Sequence, residues 1–252
     1  MKTQNPDKRN FLPRRALALA ARELYSSSYA PAVYGIGVFF LIFTSVWFFY
    51  VQRFFVMGSA SLRPYFSGFP LAFILVIPVI TMKSWAEERK TGSVELLLTM
   101  PFSEWDLVLG KFLSSLGILS FFLVLTVPVP LSLIPLGRFQ AGVIVSEYTG
   151  ALLLGASALS LGLLLSSLSK NQAGAFLGSA VVLMAVMLVS QLNFTFNLPG
   201  FIGNFCNFIS LAFHFESFSR GIIDSRDGAF FILSALLFLF LNTRVILFRK
   251  WS

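Results

Sequence analysis

Six apolar stretches, at residues 32–52, 64–82, 112–137, 148–169, 172–191 and 228–243, contain no Asp, Glu, Lys, Arg or His. A helix needs about 20 such residues to cross the hydrocarbon core of a bilayer, so each stretch reads as a span. Composition agrees. Charged residues make up 12% of the 252, where a soluble domain carries about 25%. The expected fold is an all-α integral membrane protein with six transmembrane helices.

The net charge of +8 does not point to nucleic acid, because the basic residues cluster at the ends of the apolar runs. Placing both termini in the cytoplasm puts 14 Lys and Arg on the inner connections and 5 on the outer ones. The positive-inside bias therefore predicts a multi-pass protein with both ends inside. The single Cys206 forms no intrachain disulfide and is too little for a structural zinc site, so no metal ligand set is expected.

Residues 1–31 form the expected cytoplasmic N-terminus, followed by a six-span domain at 32–252. Leu17, Ala20, Ala21 and Leu24 are expected on one face of an N-terminal interfacial helix, with Arg15, Arg22 and Ser26 opposite. Between spans five and six, no Asp, Glu, Lys or Arg occurs from Asn171 to Phe215. Asn193, Asn197, Pro199, Gly200, Gly203 and Asn204 interrupt that stretch. Residues 201–213 are expected to form one short re-entrant or surface helix, its backbone bonded internally or buried in protein. The aromatics of span one read as lipid-facing or interfacial-belt residues, and Arg220 as a partner of Asp224 one turn on.

Ion-driven transport needs ionisable groups within the spans, and the six stretches have none. No phosphate-cradling G-x-x-x-x-G-K-[ST] loop occurs either; Gly110-Lys111 lacks the upstream glycine. Energy for uphill movement would come from another polypeptide. One rival reading is an intramembrane serine-protease-like enzyme using Ser157 and His214, faintly similar to a six-span rhomboid protease. It requires the two side chains within hydrogen-bond reach. Small residues around Ser157 equally permit close helix packing.

The connection between spans two and three, 83–111, is the most informative segment. Residues 85–90 read as a helix continuing from span two and stopping at Gly92, a good C-terminal cap. Ser93 is expected to cap a second piece, 94–99, ended by Pro101, and Ser103 with Asp106 to form a capping box. The Glu87-Glu88-Arg89-Lys90 cluster beside Leu96, Leu97 and Leu98 suits docking of another protein.

Glu88-Arg89, Gly92-Ser93, Glu95-Leu96-Leu97-Leu98, Pro101 and Gly110-Lys111 resemble the corresponding segment of ABC-2 type transporter permeases. Those of gliding motility and nitrous-oxide-reductase maturation are the nearest in pattern. Glu23-Leu24-Tyr25, Ser167 to Gln172, His214-Phe215-Glu216 and Arg220 to Asp224 extend the resemblance over about residues 21–250. Ser93 stands where the family usually has Thr, and both hydroxyls can cap a helix.

The resemblance implies a non-catalytic permease subunit of an ATP-binding-cassette transporter in the bacterial inner membrane. Trp85, Glu87, Glu88, Arg89, Lys90 and Gly92 would form a cytoplasmic coupling helix seated in a separate ATP-binding subunit, with Lys170 as a second contact. That subunit would hold ATP and Mg; this chain would hold no cofactor. Asn193, Pro199, Phe201, Phe205 and His214 would belong to an extracytoplasmic gate. Such permeases work in pairs, with a second copy or a paralogue. They export or extract a substrate, or transmit work to a periplasmic partner.

Overall fold

A computed structural model describes residues 12–57, 61–90, 92, 103–136, 139–196 and 199–250, and every described regular element is helical. In chain order, α1 (Leu12–Ser28) leads to α2 (Pro31–Val46), which opens on Pro31 and closes in a π-turn at Trp47–Val51. Two single-turn helices follow, α3 (Phe54–Met57) and α4 (Arg63–Phe66), and then α5 (Phe69–Lys90). Next come α6 (Glu104–Thr126), the proline-rich α7 (Pro128–Leu133), α8 (Ala141–Leu168) and α9 (Gln172–Phe196). The chain ends in α10 (Gly200–Ile209), α11 (Leu211–Ser219) and α12 (Ser225–Lys250).

Six helical segments are long and apolar enough to cross a membrane: Pro31–Val56, Arg63–Lys90, Glu104–Leu133, Ala141–Leu168, Gln172–Gln191 and Ser225–Phe248. They coincide with the six expected stretches but mostly run further. The sequence reading stops at the first charged residue, whereas the helices continue through Glu88, Lys111 and Glu147. The charge-free stretches are thus the inner parts of longer helices that carry Glu88, Lys111 and Glu147 toward their ends. These three side chains are shielded by protein, and burial inside a bundle is what makes such groups tolerable at membrane depth.

Helix α8 is the hub, packed against α5, α6, α9, α11 and α12. Its small residues set that position. A Cβ at Gly150 would lie 2.5 Å from Phe218 Cβ, and one at Gly162 would lie 2.6 Å from Thr81 Oγ1. Small residues let helix backbones approach where no hydrophobic effect drives them together. Against this hub lies an aromatic core of Phe40, Phe48, Tyr65, Phe66, Phe69 and Phe73. Phe40 and Phe48 of span one are fully buried, correcting the lipid-facing assignment for that face. Tyr50 and Val46 remain exposed.

Helix α1 lies along α6, but its buried face is rotated from the expected one. Ala16, Leu19 and Ala20 are buried, while Leu17 is 58% exposed and Ala21 and Leu24 are also exposed. The cause sits on α6. Gly110 admits Leu19, whose Cδ2 would be 2.7 Å from a Cβ there, and one turn further Glu23 faces Lys111.

The capping box at the start of α6 is formed as expected. Ser103 Oγ accepts from Trp105 N, and Ser103 N donates to Asp106 Oδ2 at 3.2 Å. Gly92 takes φ +71°, the left-handed conformation of a helix-terminating glycine. The helix expected at 94–99, its Ser93 cap, Leu96 to Leu98 and Pro101 lie outside the described residues, as does Asn197.

Candidate functional site

The residues read as a docking helix gather at one end of the bundle, where α5, α6, α8 and α1 meet. Lys111 is the centre of that end, with its side chain 2% exposed. Its Nζ lies 2.5 Å from Glu88 Oε1 and 3.5 Å from Glu23 Oε1, and it sits 4.8 Å from the centroid of the Trp85 ring. One lysine thus joins α6 to both α5 and α1. A buried ammonium is tolerated when carboxylates and a π face replace its water.

Arg89 makes the second tie. Its guanidinium donates to the carbonyls of Ser169, at 2.6 Å, and Ser167. These acceptors close the C-terminal turn of α8, where unsatisfied carbonyls favour a cation. The arginine therefore clasps the end of α5 to the end of α8, one residue from Lys170. Trp85 is buried, while Glu87 and Lys90 are exposed. The expected set thus divides in two. Trp85, Glu88 and Arg89 face inward as ties, and Glu87, Lys90, Gly92 and Lys170 lie at the surface beside them.

The residues read as a gate gather at the opposite end. The single helix expected over 201–213 is broken at Ser210 into α10 and α11. Ser210 is fully buried; its Oγ donates to Ser190 Oγ at 3.0 Å and accepts from Phe213 N. It thereby caps α11 and pins the corner to α9. Asn193 bridges to Asn207 at 3.4 Å, and its side chain packs onto Gly203, where a Cβ would lie 2.5 Å from its Oδ1. Pro199 starts α10, while Phe201 and Phe205 of that helix are exposed.

His214 Nδ1 lies 2.7 Å from Asp227 Oδ1 and its Nε2 lies 3.0 Å from the Phe208 carbonyl, with the ring stacked on Phe230. It ties the α10–α11 hairpin to α12. Ser157 instead pairs with Ser234 at 2.7 Å on α12. Nucleophile and base are not brought together, and the protease constellation is not formed. Arg220 pairs with Glu216 at 2.7 Å rather than with Asp224, whose Oδ1 accepts from Arg226 N. Helix α11 ends at Ser219, so the residue one turn back is the helical neighbour of Arg220.

Residues 17–247 match the family model described as ABC-2 family transporter protein. The chain belongs to that family. Its six long apolar helices fit a multi-pass membrane protein of that family. A protein named "Probable multidrug ABC transporter permease YbhR", from Escherichia coli strain K12 and from E. coli O157:H7, is 30% identical over 149 residues. The match covers 58% of this chain but 39% of the relative, so the permease spans well under half of the length of the curated relatives it matches.

Two ionisable residues of the permease were not singled out as sites by sequence reasoning. In the sequence Lys111 stands beside Gly110 directly before the long apolar run 112–137, and that position is the signal for its role. Glu147 stands in the sequence just before the charge-free stretch 148–169. It lies inside α8, fully buried, and both carboxyl oxygens lack a hydrogen-bond partner among the described residues. A cavity of about 340 Å³ opens onto it, lined also by Ser61, Arg63, Gln140, Ser219 and Arg220. Among the described residues, no group of three or more His, Cys, Asp or Glu could hold a metal ion.

Proposed function

We propose that this permease couples ATP hydrolysis on a separate subunit to export or extraction of a substrate, through the end of the bundle centred on Lys111. The observation that carries the reading is the Arg89 clasp, which ties α5 to the C-terminus of the hub helix α8. A partner pressing on Glu87, Lys90, Gly92 and Lys170 would move α5 and α8 as one lever. The Lys111 ties extend the lever to α1 and α6. Differential contact with the partner in its two nucleotide states would supply the bias that such a motion needs.

In this reading the Lys111 end faces the cytoplasm, with both termini inside, and ATP and Mg are bound by the partner. The α10–α11 hairpin is the extracytoplasmic gate, with Asn193, Pro199, Phe201, Phe205 and His214 at its joints and surface. A second copy or a paralogue completes the pathway in the bacterial inner membrane. A variant of this reading has the stroke do work on a periplasmic partner.

The test separates docking from transmission. Wild type purified in mild detergent is expected to bring an ATP-hydrolysing subunit with it. Glu87→Ala with Lys90→Ala should lose that subunit. Arg89→Ala should keep it bound while its ATPase no longer responds to the permease. A wild type that emerges alone under several mild conditions, or a double variant that retains its full ATPase, would overturn the reading.

A further inference from the structure

The Glu147 end of the permease contains an electrostatic arrangement that coupling to ATP does not explain. Glu147 is a fully buried carboxyl in a membrane-spanning helix, with neither oxygen hydrogen-bonded among the described residues. An unpartnered buried carboxyl is costly, and such groups inside spans mark binding or conduction sites by default. Helix α8 begins six residues earlier, so Glu147 lies about 9 Å below the helix start. The cavity of about 340 Å³ reaches it from that end.

The mouth of the cavity has the opposite sign. Arg63 and Arg220 line it and both donate to the same Oε1 of Glu216, at 3.4 Å and 2.7 Å. One carboxylate shared by two guanidiniums leaves the mouth with an excess positive charge. Ser61, Gln140 and Ser219 add uncharged polar groups to the lining. A simple cation would have to pass the guanidiniums, and a simple anion would meet Glu147. The charge order suits a molecule that leads with an ammonium and trails an anion.

We propose that this cavity binds a zwitterionic aminoalkyl phosphate, with its primary ammonium on Glu147 and its phosphate at Arg63 and Arg220. A primary ammonium has three N–H donors for the two unpaired oxygens. Guanidiniums match phosphate geometry. The group can belong to a phosphatidylethanolamine headgroup or to free phosphoethanolamine. Val145, Ile222 and Ile223 lie exposed close by along the chain and could face acyl chains. The inference stands apart from the docking reading, because it needs neither the ATP-binding subunit nor a transport cycle.

The experiment is native mass spectrometry of the purified permease with phosphatidylethanolamine, phosphatidylcholine or phosphatidylglycerol added at equal amounts. Phosphatidylcholine has no N–H donor and phosphatidylglycerol has no amine. Wild type is expected to retain phosphatidylethanolamine about tenfold better than either, the size of one charge-assisted hydrogen bond. Glu147→Gln should bring the first two lipids to parity. Arg63→Gln with Arg220→Gln should weaken retention of phosphatidylethanolamine. Displacement of the lipid by free phosphoethanolamine would identify the headgroup alone as sufficient; retention against it would identify the lipid as the ligand. Equal retention of phosphatidylethanolamine and phosphatidylcholine by wild type overturns the proposal, whether or not any variant folds. So does an unchanged preference in Glu147→Gln.

Discussion

The two ends of the bundle share the hub helix α8 and treat charge in opposite ways. At the Lys111 end, charges meet across helices: Lys111 with Glu88 and Glu23, Arg89 with the terminal carbonyls of α8. At the Glu147 end, one buried carboxyl has no hydrogen-bond partner among the described residues, and two arginines share a single exposed glutamate. The first arrangement resists relative motion, since moving any helix strips a charge of its partner. The second leaves a carboxyl whose hydrogen-bonding capacity a ligand or a rearrangement could satisfy. One end is built to transmit and the other to receive.

The largest effect should come from breaking the closed end. Lys111→Met leaves Glu88 and Glu23 facing each other in a largely buried site, and is expected to cost about 4 kcal/mol in a reversible detergent-unfolding assay. Adding Glu88→Leu should recover part of that loss. A Lys111→Met protein as stable as wild type would erase the contrast between the ends.

Packing, unlike charge, should be equal at both ends. Gly150→Val and Gly162→Val, toward opposite ends of α8, should each cost about 2 kcal/mol, because each added side chain meets a packed neighbour. The same assay reads both. A large difference between them would show that the asymmetry is steric rather than electrostatic. Arg89→Ala should be milder, at about 1.5 kcal/mol, since only Ser167 of its two acceptor residues is buried. Its clearer signature is faster amide exchange at the last turn of α8.

The smallest effects belong to isolated polar groups. Ser157→Ala removes one serine–serine bond and should cost about 0.6 kcal/mol by thermal unfolding, with transport retained. Glu147→Gln should stay within about 0.5 kcal/mol of wild type, because no formed hydrogen bond is lost. Destabilisation of Glu147→Gln comparable to that of Lys111→Met would mean that Glu147 has a structural partner and the two ends are alike.

Much of the scaffold was legible because hydropathy and local capping are local properties. The six spans, the left-handed Gly92 and the Ser103–Asp106 box follow from residues adjacent in sequence. The site was less legible because its partners are distant. Glu88 reads as a surface charge until α6 brings Lys111 to it, 23 residues on. The buried face of α1 is hidden for the same reason: Leu17, Leu19 and Leu24 are equally apolar, but Gly110 on another helix selects Leu19. Glu147 was missed because a charge was taken to mark the end of a span, a rule that fails wherever protein rather than lipid surrounds the helix.

The π-turn at Trp47–Val51 bears on how this chain compares with its relatives. Gln52 N bonds back to the Trp47 carbonyl, five residues away, so the turn holds about one residue more than a regular one. Such a turn reads as a one-residue insertion absorbed without ending the helix. Relatives lacking it would align across a single-residue gap at 47–51, and an ungapped alignment would mis-phase everything between there and the next loop. Deleting one residue from the turn would rotate the segment that leads to Arg53 by about 100° relative to the face set by Gly37, Phe40 and Thr44.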